Sequence, residues 1–248
     1  VDFVYVDPRT YNLSPIALEQ KLLRAREERR LPKVVVPVHL AGQPCDMEAI
    51  HALGQKFGFR IIEDASHAIG GRYKGEPIGN GRYSDITVFS FHPVKIITTA
   101  EGGMALTNDA ALATRLGLLR SHGITREPDL MTQDMDGPWY YQQVELGYNY
   151  RMTDIQAALG LSQLSKLEGF IASRNQIASP YRDELSSLDI QLPPAAPPGY
   201  LHGYHLFPVL FDNRDQVFAV LEENDIRVQV HYVPVHHHAI SQDIHNLH

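Results

Sequence analysis

Two short apolar runs, VVVPV at 34–38 and FRIIE at 59–63, enclose one amphipathic helical pattern. That β-α-β order constrains the fold more than any other feature. The helix reads from about Asp46, an N-cap candidate, with Ile50, Leu53 and Phe57 on one face and Gly58 as its stop. A strand, a crossover helix and a second strand argue for a parallel sheet with right-handed connections. VVVPV is expected as a buried strand of that sheet. The runs ITVFSF at 86–91 and GMALT at 103–107 add two more strands, and a helix is expected from Asp109 to about Ser121.

In open sheets of this kind, ligands gather beyond the carboxyl ends of the strands. Asp64 falls just past one predicted strand, and Ser90 and Lys95 fall at or just past another, so three chemically useful residues converge on one rim. A lysine and an upstream aspartate placed this way suit a pyridoxal phosphate site. The amine forms a Schiff base, and the carboxylate keeps the pyridine nitrogen protonated so that the ring accepts electrons. The competing readings are plain ones: a solvated loop cation for Lys95, and a cap or turn former for Asp64.

The region 122–148 is polar, aromatic and irregular, and a loop this long is uncommon unless it is functional or disordered. From Thr153, an N-cap candidate, a long helical pattern carries Ile155, Leu159, Leu161, Leu164 and Leu167 and is expected to run, with a kink near Pro180, to about Leu188. LPPAAPPGYLHG then punctuates the chain. After it a strand (YHLFPVLF), a helix from about Arg214 to Asn224 and a strand (RVQVHYVPV) are expected. The pattern divides into 1–152 as part of a large domain, 153–188 as a connecting helix and 189–248 as part of a small α+β domain. The apolar opening VDFVYVD and the His-rich close SQDIHNLH suggest a piece of a longer polypeptide.

Composition narrows the function classes. With 44% hydrophobic residues the chain can bury a substantial core. A formal net charge of −7 argues against nucleic acid, since the one basic run, KLLRAREERR, mixes both signs as a solvated helix face does. Cys45 is the only cysteine, which excludes an intrachain disulfide and favours a reducing compartment. No apolar stretch is long enough for a membrane span and no signal peptide is evident, so a cytoplasmic location is expected. There are 13 histidines, and His231 with the run His236-His237-His238 raises the question of a metal. Adjacent histidines rarely converge on one ion, and no cysteine or carboxylate has ligand spacing beside them, so no metal is expected. No G-x-G-x-x-G follows a strand and opens a helix, which leaves a nicotinamide enzyme weakly supported.

Glu63-Asp64, GGRYKGEPIGNGRYSD, FSFHPVK and Glu101-Gly102-Gly103 together resemble the DegT/DnrJ/EryC1/StrS family of pyridoxal phosphate-dependent sugar aminotransferases. VDPRTYNLSP at 6–15, RSHGITR at 120–126, LGYNYRMTDIQAALGLSQL at 146–164 and VHYVPVH at 230–236 are similar to family segments in family order, so the resemblance covers essentially the whole chain. It implies an aspartate-aminotransferase-like α/β fold (fold type I), with a mainly parallel large domain and a smaller α+β C-terminal domain.

The same resemblance assigns roles. Lys95 would carry the cofactor and then move the proton; family members with histidine at this place dehydrate sugars instead. Asp64 would hold the ring nitrogen, and Ser90 the phosphate. His67 stands where many relatives carry glutamine against the phenolic oxygen. Asn149 would reach the phosphate of a partner subunit's cofactor, which implies a homodimer with shared sites. Arg151 and His231 are candidates for substrate contact. The segments SHGITREPDLM, GPWYYQQVELGYNYRM and QVHYVPVHHH look closest to the pseudaminic acid branch. That branch implies UDP-2-acetamido-2,6-dideoxy-β-L-arabino-hexos-4-ulose as substrate and L-glutamate as amino donor. The alternatives are another sugar-nucleotide 4-aminotransferase, of the perosamine, bacillosamine or aminoarabinose type, or a catalytically silent fragment that dimerises or binds a partner. The family's glycine-threonine turn, which grips the phosphate at a helix N-terminus, is not found ahead of Val1. An internal fragment of the family pattern is therefore expected.

Overall fold

A computed structural model describes residues 1–238. The closing segment SQDIHNLH lies outside the described residues. The chain divides into two compact units, one comprising Val1–Pro180 with Pro194–Phe207, the other Tyr181–Pro193 with the chain from Pro208 onward.

The first unit holds a four-stranded sheet built, in spatial order, from β1 (Val34–Val35), β2 (Arg60–Asp64), β5 (Ile86–Ser90) and β6 (Gly103–Leu106). β1 pairs with β2 and β2 with β5 in parallel, as the β-α-β pattern requires. β6 runs antiparallel to β5, with Ser90 opposite Gly103. The connection, residues 91–102, folds into a loop whose ends bond to each other, Phe91 N–H donating to Gly102 O, and so returns the chain beside the strand it has left. Two-residue strands β3 (Arg72–Tyr73) and β4 (Glu76–Pro77) form a separate hairpin.

The helix between β1 and β2, α2 (Met47–Phe57), starts and stops as its sequence dictates. Asp46 accepts the Ala49 N–H at 3.3 Å, and Gly58 closes it in the left-handed conformation (φ 80°). Its buried face of Met47, Ile50, Leu53 and Phe57 packs with Leu18 and Leu22 of α1 (Pro15–Glu27) and with Val35, Phe59 and Ile61. A second apolar cluster, Ala65, Ala68, Phe89, Phe91 and Ile97, lies at the carboxyl end of β5 and is joined by Met152 and Leu167.

VVVPV departs from expectation. Only Val34 and Val35 join a ladder, and Val34, Val36 and Val38 are 42, 49 and 39% exposed while Val35 and Pro37 are buried. β1 is an edge strand of the described sheet, yet its chain stays beside β2 past Pro37, whose carbonyl accepts Asp64 N–H at 2.9 Å, and Val38 bridges to Asp64. α3 (Ala110–Arg120) follows its Asp109 cap closely. The expected continuous helix after Thr153 is instead two, α4 (Asp154–Leu164) and α5 (Leu167–Leu185). Thr153 and Gln156 form a reciprocal capping box at the start of α4. At its end the Ser165 hydroxyl donates to Ser162 O and Lys166 N–H to Gln163 O, a tighter turn that interrupts the i to i−4 ladder. Pro180 lies inside α5, which continues past it.

The second unit contains α6 (Arg214–Glu223), close to the expected bounds. The strands expected at YHLFPVLF and RVQVHYVPV do not form among the described residues; one bridge, Gln191 to Leu210, remains. A strand is stable only when a neighbour pairs its backbone along a ladder; the YHLFPVLF main chain makes local bonds instead, Leu206 N–H donating to Ala41 O at 3.3 Å and Leu210 exchanging bonds with Gln191.

The 122–148 region is more ordered than its composition suggests. β7 (Ile124–Thr125) and β8 (Gln142–Gln143) pair antiparallel at its base. The chain crosses itself there: a Cβ on Gly123 (φ 67°) would lie 1.8 Å from Glu145 O, and one on Gly147 would lie 2.2 Å from Gly123 N. Gly123→Ala is therefore expected to lower stability by more than about 2 kcal/mol, since both the conformation and the contact exclude a methyl group. Urea unfolding of the variant checks this.

Candidate active site

Lys95 rides on a loop, residues 91–102, closed at its neck by main-chain bonds. Phe91 N–H donates to Gly102 O at 2.9 Å, and Phe91 O accepts both Thr99 N–H and the Thr98 hydroxyl at 3.0 Å. The two glycines of Glu101-Gly102-Gly103 make the closure possible. A Cβ on Gly102 would sit 2.3 Å from Thr99 Oγ1, and one on Gly103 2.9 Å from Phe89 O. Buried Ile96 and Ile97 anchor the loop beside Lys95, whose N–H donates to His92 O at 2.9 Å.

The Lys95 side chain is half-buried, and among the described residues its amine has no hydrogen bond and no ion pair. Partial burial pulls its pKa below the ordinary lysine value, and the nearby Asp64 carboxylate opposes that shift. Asp64 ends β2. Its N–H donates to Pro37 O (2.9 Å) and its carbonyl accepts His39 N–H (3.0 Å), while its side chain accepts Ser66 N–H (3.0 Å). Ser90 ends β5, and its hydroxyl accepts His92 N–H at 3.4 Å. His67 follows β2 and is 8% exposed. Its Nδ1 accepts the Ala41 N–H at 3.2 Å, which places the ring proton on Nε2. The His205 ring lies 4.4 Å from it, centroid to centroid.

Asp64, His67, Ser90 and Lys95 thus gather at the carboxyl edge of β2 and β5. Asn149 and Arg151 belong to the same unit and are exposed, without a side-chain hydrogen bond to these four. Asn149 bridges to Ser121 through the main chain, between Tyr148 and Tyr150, whose rings stack at 4.8 Å and 12°. His231 belongs to the second unit, exposed and edge-on to Tyr232. Among the described residues no three His, Cys, Asp or Glu side chains converge into a metal-holding group, and no helix is long and apolar enough to cross a membrane.

Sequence reasoning passed over a buried polar network behind the rim. Glu63 accepts His39 Nε2–H at 2.7 Å through one oxygen, and the Ser84 and Thr87 hydroxyls at 2.8 and 3.0 Å through the other. Burial raises its carboxyl pKa, but these bonds outweigh burial and hold it below the usual value. Strand alternation was the available signal, because neighbours in β2 must face opposite ways and Glu63 therefore points away from Asp64.

The donor set fits pyridoxal phosphate: a free, partly desolvated amine for its aldehyde, a carboxylate for its ring nitrogen, an imidazole N–H for its phenolic oxygen and a hydroxyl for its phosphate.

The fold is of the aspartate-aminotransferase-like α/β class, carrying a lysine loop at the carboxyl edge of its sheet. The chain belongs to the DegT/DnrJ/EryC1/StrS aminotransferase family, whose pattern matches residues 1–247. It is 38% identical over 95% of its length to an uncharacterized protein of Methanocaldococcus jannaschii, covering 60% of that protein. It is 35% identical over 97% of its length to the spore coat polysaccharide biosynthesis protein SpsC of Bacillus subtilis, covering 61%. The chain thus spans about 60% of the length of these curated relatives. Among solved structures, Helicobacter pylori PseC, an aminotransferase involved in the biosynthesis of pseudaminic acid, is similar with a TM-score of 0.87 and 29% identity, over 99% of this chain and 62% of that one. A family aminotransferase from Brucella abortus gives 0.85 and 32%, over 97% and 61%. A Streptococcus pneumoniae relative, 27% identical over 96% of this chain and 63% of its own, has been solved in PLP-form with a TM-score of 0.78 and also in PMP-form.

Proposed function

We propose that this chain is the catalytic portion of a pyridoxal phosphate-dependent aminotransferase acting on a nucleotide-linked 4-keto-6-deoxy sugar. The observation that carries this reading is the half-buried amine of Lys95, without a hydrogen bond among the described residues and near Asp64 at the rim of the sheet. The solved PLP and PMP forms of the Streptococcus pneumoniae relative support the cofactor.

Pyridoxal phosphate, when bound, supplies a protonated ring that takes up negative charge from the carbon bearing the amino group. Lys95 would hold the cofactor through its amine, and the same amine, when not so engaged, would serve as the base that carries the proton at the amino-bearing carbon. Partial desolvation suits both tasks, because it leaves more of the amine unprotonated near neutral pH. Asp64 would keep the ring nitrogen protonated, His67 would donate to the phenolic oxygen and Ser90 would hold the phosphate. Arg151 and His231 contact the sugar nucleotide.

The working form in this reading is a cytoplasmic homodimer in which Asn149 reaches the phosphate of the partner subunit's cofactor. The apolar surface of α4, where Ile155 is 84% and Leu161 70% exposed, supports a second copy as its cover. Residues 1–152 form part of the large domain, 153–188 connect and 189–248 form part of the small domain.

The likeness to PseC favours UDP-2-acetamido-2,6-dideoxy-β-L-arabino-hexos-4-ulose as the ketosugar, aminated at C4 with L-glutamate as donor. A panel of nucleotide ketosugars, each offered with glutamate while 2-oxoglutarate is followed, tests this. The L-arabino ketosugar is expected to lead the others by about tenfold or more in kcat/KM. Preference for a perosamine, bacillosamine or aminoarabinose precursor would reassign the substrate. No 2-oxoglutarate with any of them, from protein that binds the cofactor, would overturn the sugar reading.

A further inference from the structure

Glu63 and His39 touch none of the residues assigned to the cofactor by side chain, yet they are among the most buried polar groups of the protein, 5% and 0% exposed. His39 is held at three points. Its Nε2–H donates to Glu63 at 2.7 Å, its Nδ1 accepts the Cys45 N–H at 3.0 Å, and its own N–H donates to the carbonyl of Asp64 at 3.0 Å. The Cys45 bond requires a lone pair on Nδ1, so the ring is fixed as the Nε2–H tautomer that Glu63 can accept.

Beyond His39 the chain turns through Leu40, Ala41 (φ 60°) and Gly42 (φ 103°). Asn12, itself buried, accepts the Leu40 N–H at 2.9 Å and donates to Gln43 O at 2.9 Å. The turn delivers the Ala41 N–H to His67 Nδ1 at 3.2 Å. His39 therefore stands at a junction. Its main chain holds Asp64, the loop it begins sets the tautomer of His67, and its ring is pinned by the carboxylate next to Asp64 in the sequence.

We propose that the Glu63–His39 pair is a positioning device that aligns Asp64 and His67 together, so that one buried bond governs both polar contacts to the cofactor ring. This rests on the pyridoxal phosphate reading above. Glu63 and His39 are positioning residues. Their bond acts through the Asp64 carbonyl and the 40–42 turn.

The test separates the Glu63 link from burial as such. In His39→Asn the amide falls near the place of Nδ1, keeping an acceptor for Cys45 N–H but losing the reach to Glu63. In His39→Gln the amide N–H falls near the place of Nε2, keeping Glu63 and losing Cys45. Each variant thus deletes one buried hydrogen bond, and a merely structural role would affect the two alike. Ring nitrogen-15 spectra of the cofactor-free protein report the His67 tautomer, and titration of the visible band of added pyridoxal phosphate reports its affinity. The wild type is expected to show His67 as a single Nε2–H tautomer. His39→Asn should lose that tautomer and bind the cofactor about tenfold more weakly, as loss of outer-shell partners commonly does, while His39→Gln stays near wild type. Equal effects in the two variants, or no effect in His39→Asn, would overturn the proposal. Should neither variant fold, a mixed or Nδ1–H tautomer of His67 in the wild type would do the same. Failure of the wild type to bind pyridoxal phosphate at Lys95 would instead sink the underlying reading, and the nitrogen spectra, taken without cofactor, keep the two failures apart.

Discussion

Lys95→Ala is expected to abolish covalent capture of pyridoxal phosphate and to lower the transamination rate by roughly a thousandfold or more. Borohydride reduction followed by peptide mass spectrometry reads the first effect, giving a pyridoxyl adduct on the Lys95 peptide of the wild type and none in the variant. The fold should survive the change. The Lys95 side chain makes no hydrogen bond or ion pair among the described residues, and the loop is closed by Phe91, Thr98, Thr99 and Gly102. An unfolding free energy within about 1 kcal/mol of wild type is therefore expected. Labelling scattered over surface lysines such as Lys33 or Lys166, and unchanged in Lys95→Ala, would refute the assignment.

Asp64→Asn is expected to separate binding from chemistry. Lys95 remains, so the adduct should still form on reduction. The amide does not carry the charge that keeps the ring nitrogen protonated, and kcat should fall by about 10²–10³-fold, the scale seen when one preorganised electrostatic group is removed. The amide also keeps an oxygen for Ser66 N–H, so the turn after β2 is not the reason for the loss. Measuring adduct yield and turnover on the same preparation decides the matter. A variant that turns over at the wild-type rate would remove Asp64 from the mechanism.

The sheet and the rim were legible in the sequence because local signals agreed there. Asp46 and Gly58 bracket α2, apolar residues mark β2 and β5, and the residues ending those strands can only project at one edge. Features that depend on a neighbour were not legible. VVVPV is as apolar as a central strand, yet it lies at the sheet edge and stays partly exposed. YHLFPVLF and RVQVHYVPV have strand composition without a described ladder to join. The α4–α5 break comes from one serine hydroxyl and a tightened turn, too small a signal in a leucine-rich run. The Glu63–His39 pair joins residues that composition ranks as surface-seeking, and only the alternation of β2 hinted that Glu63 turns inward.

The neck of the 91–102 loop has a consequence for substitution. The bonds that close it come from the main chain, Thr98, Thr99 and Gln156 and none from the Lys95 side chain, and the glycines that permit it lie seven and eight positions downstream of the lysine. Frame and reagent are thus written in different letters of the sequence. A substitution at position 95 alone would therefore change the reactive group that the loop presents while the bonds that close its backbone stay in place.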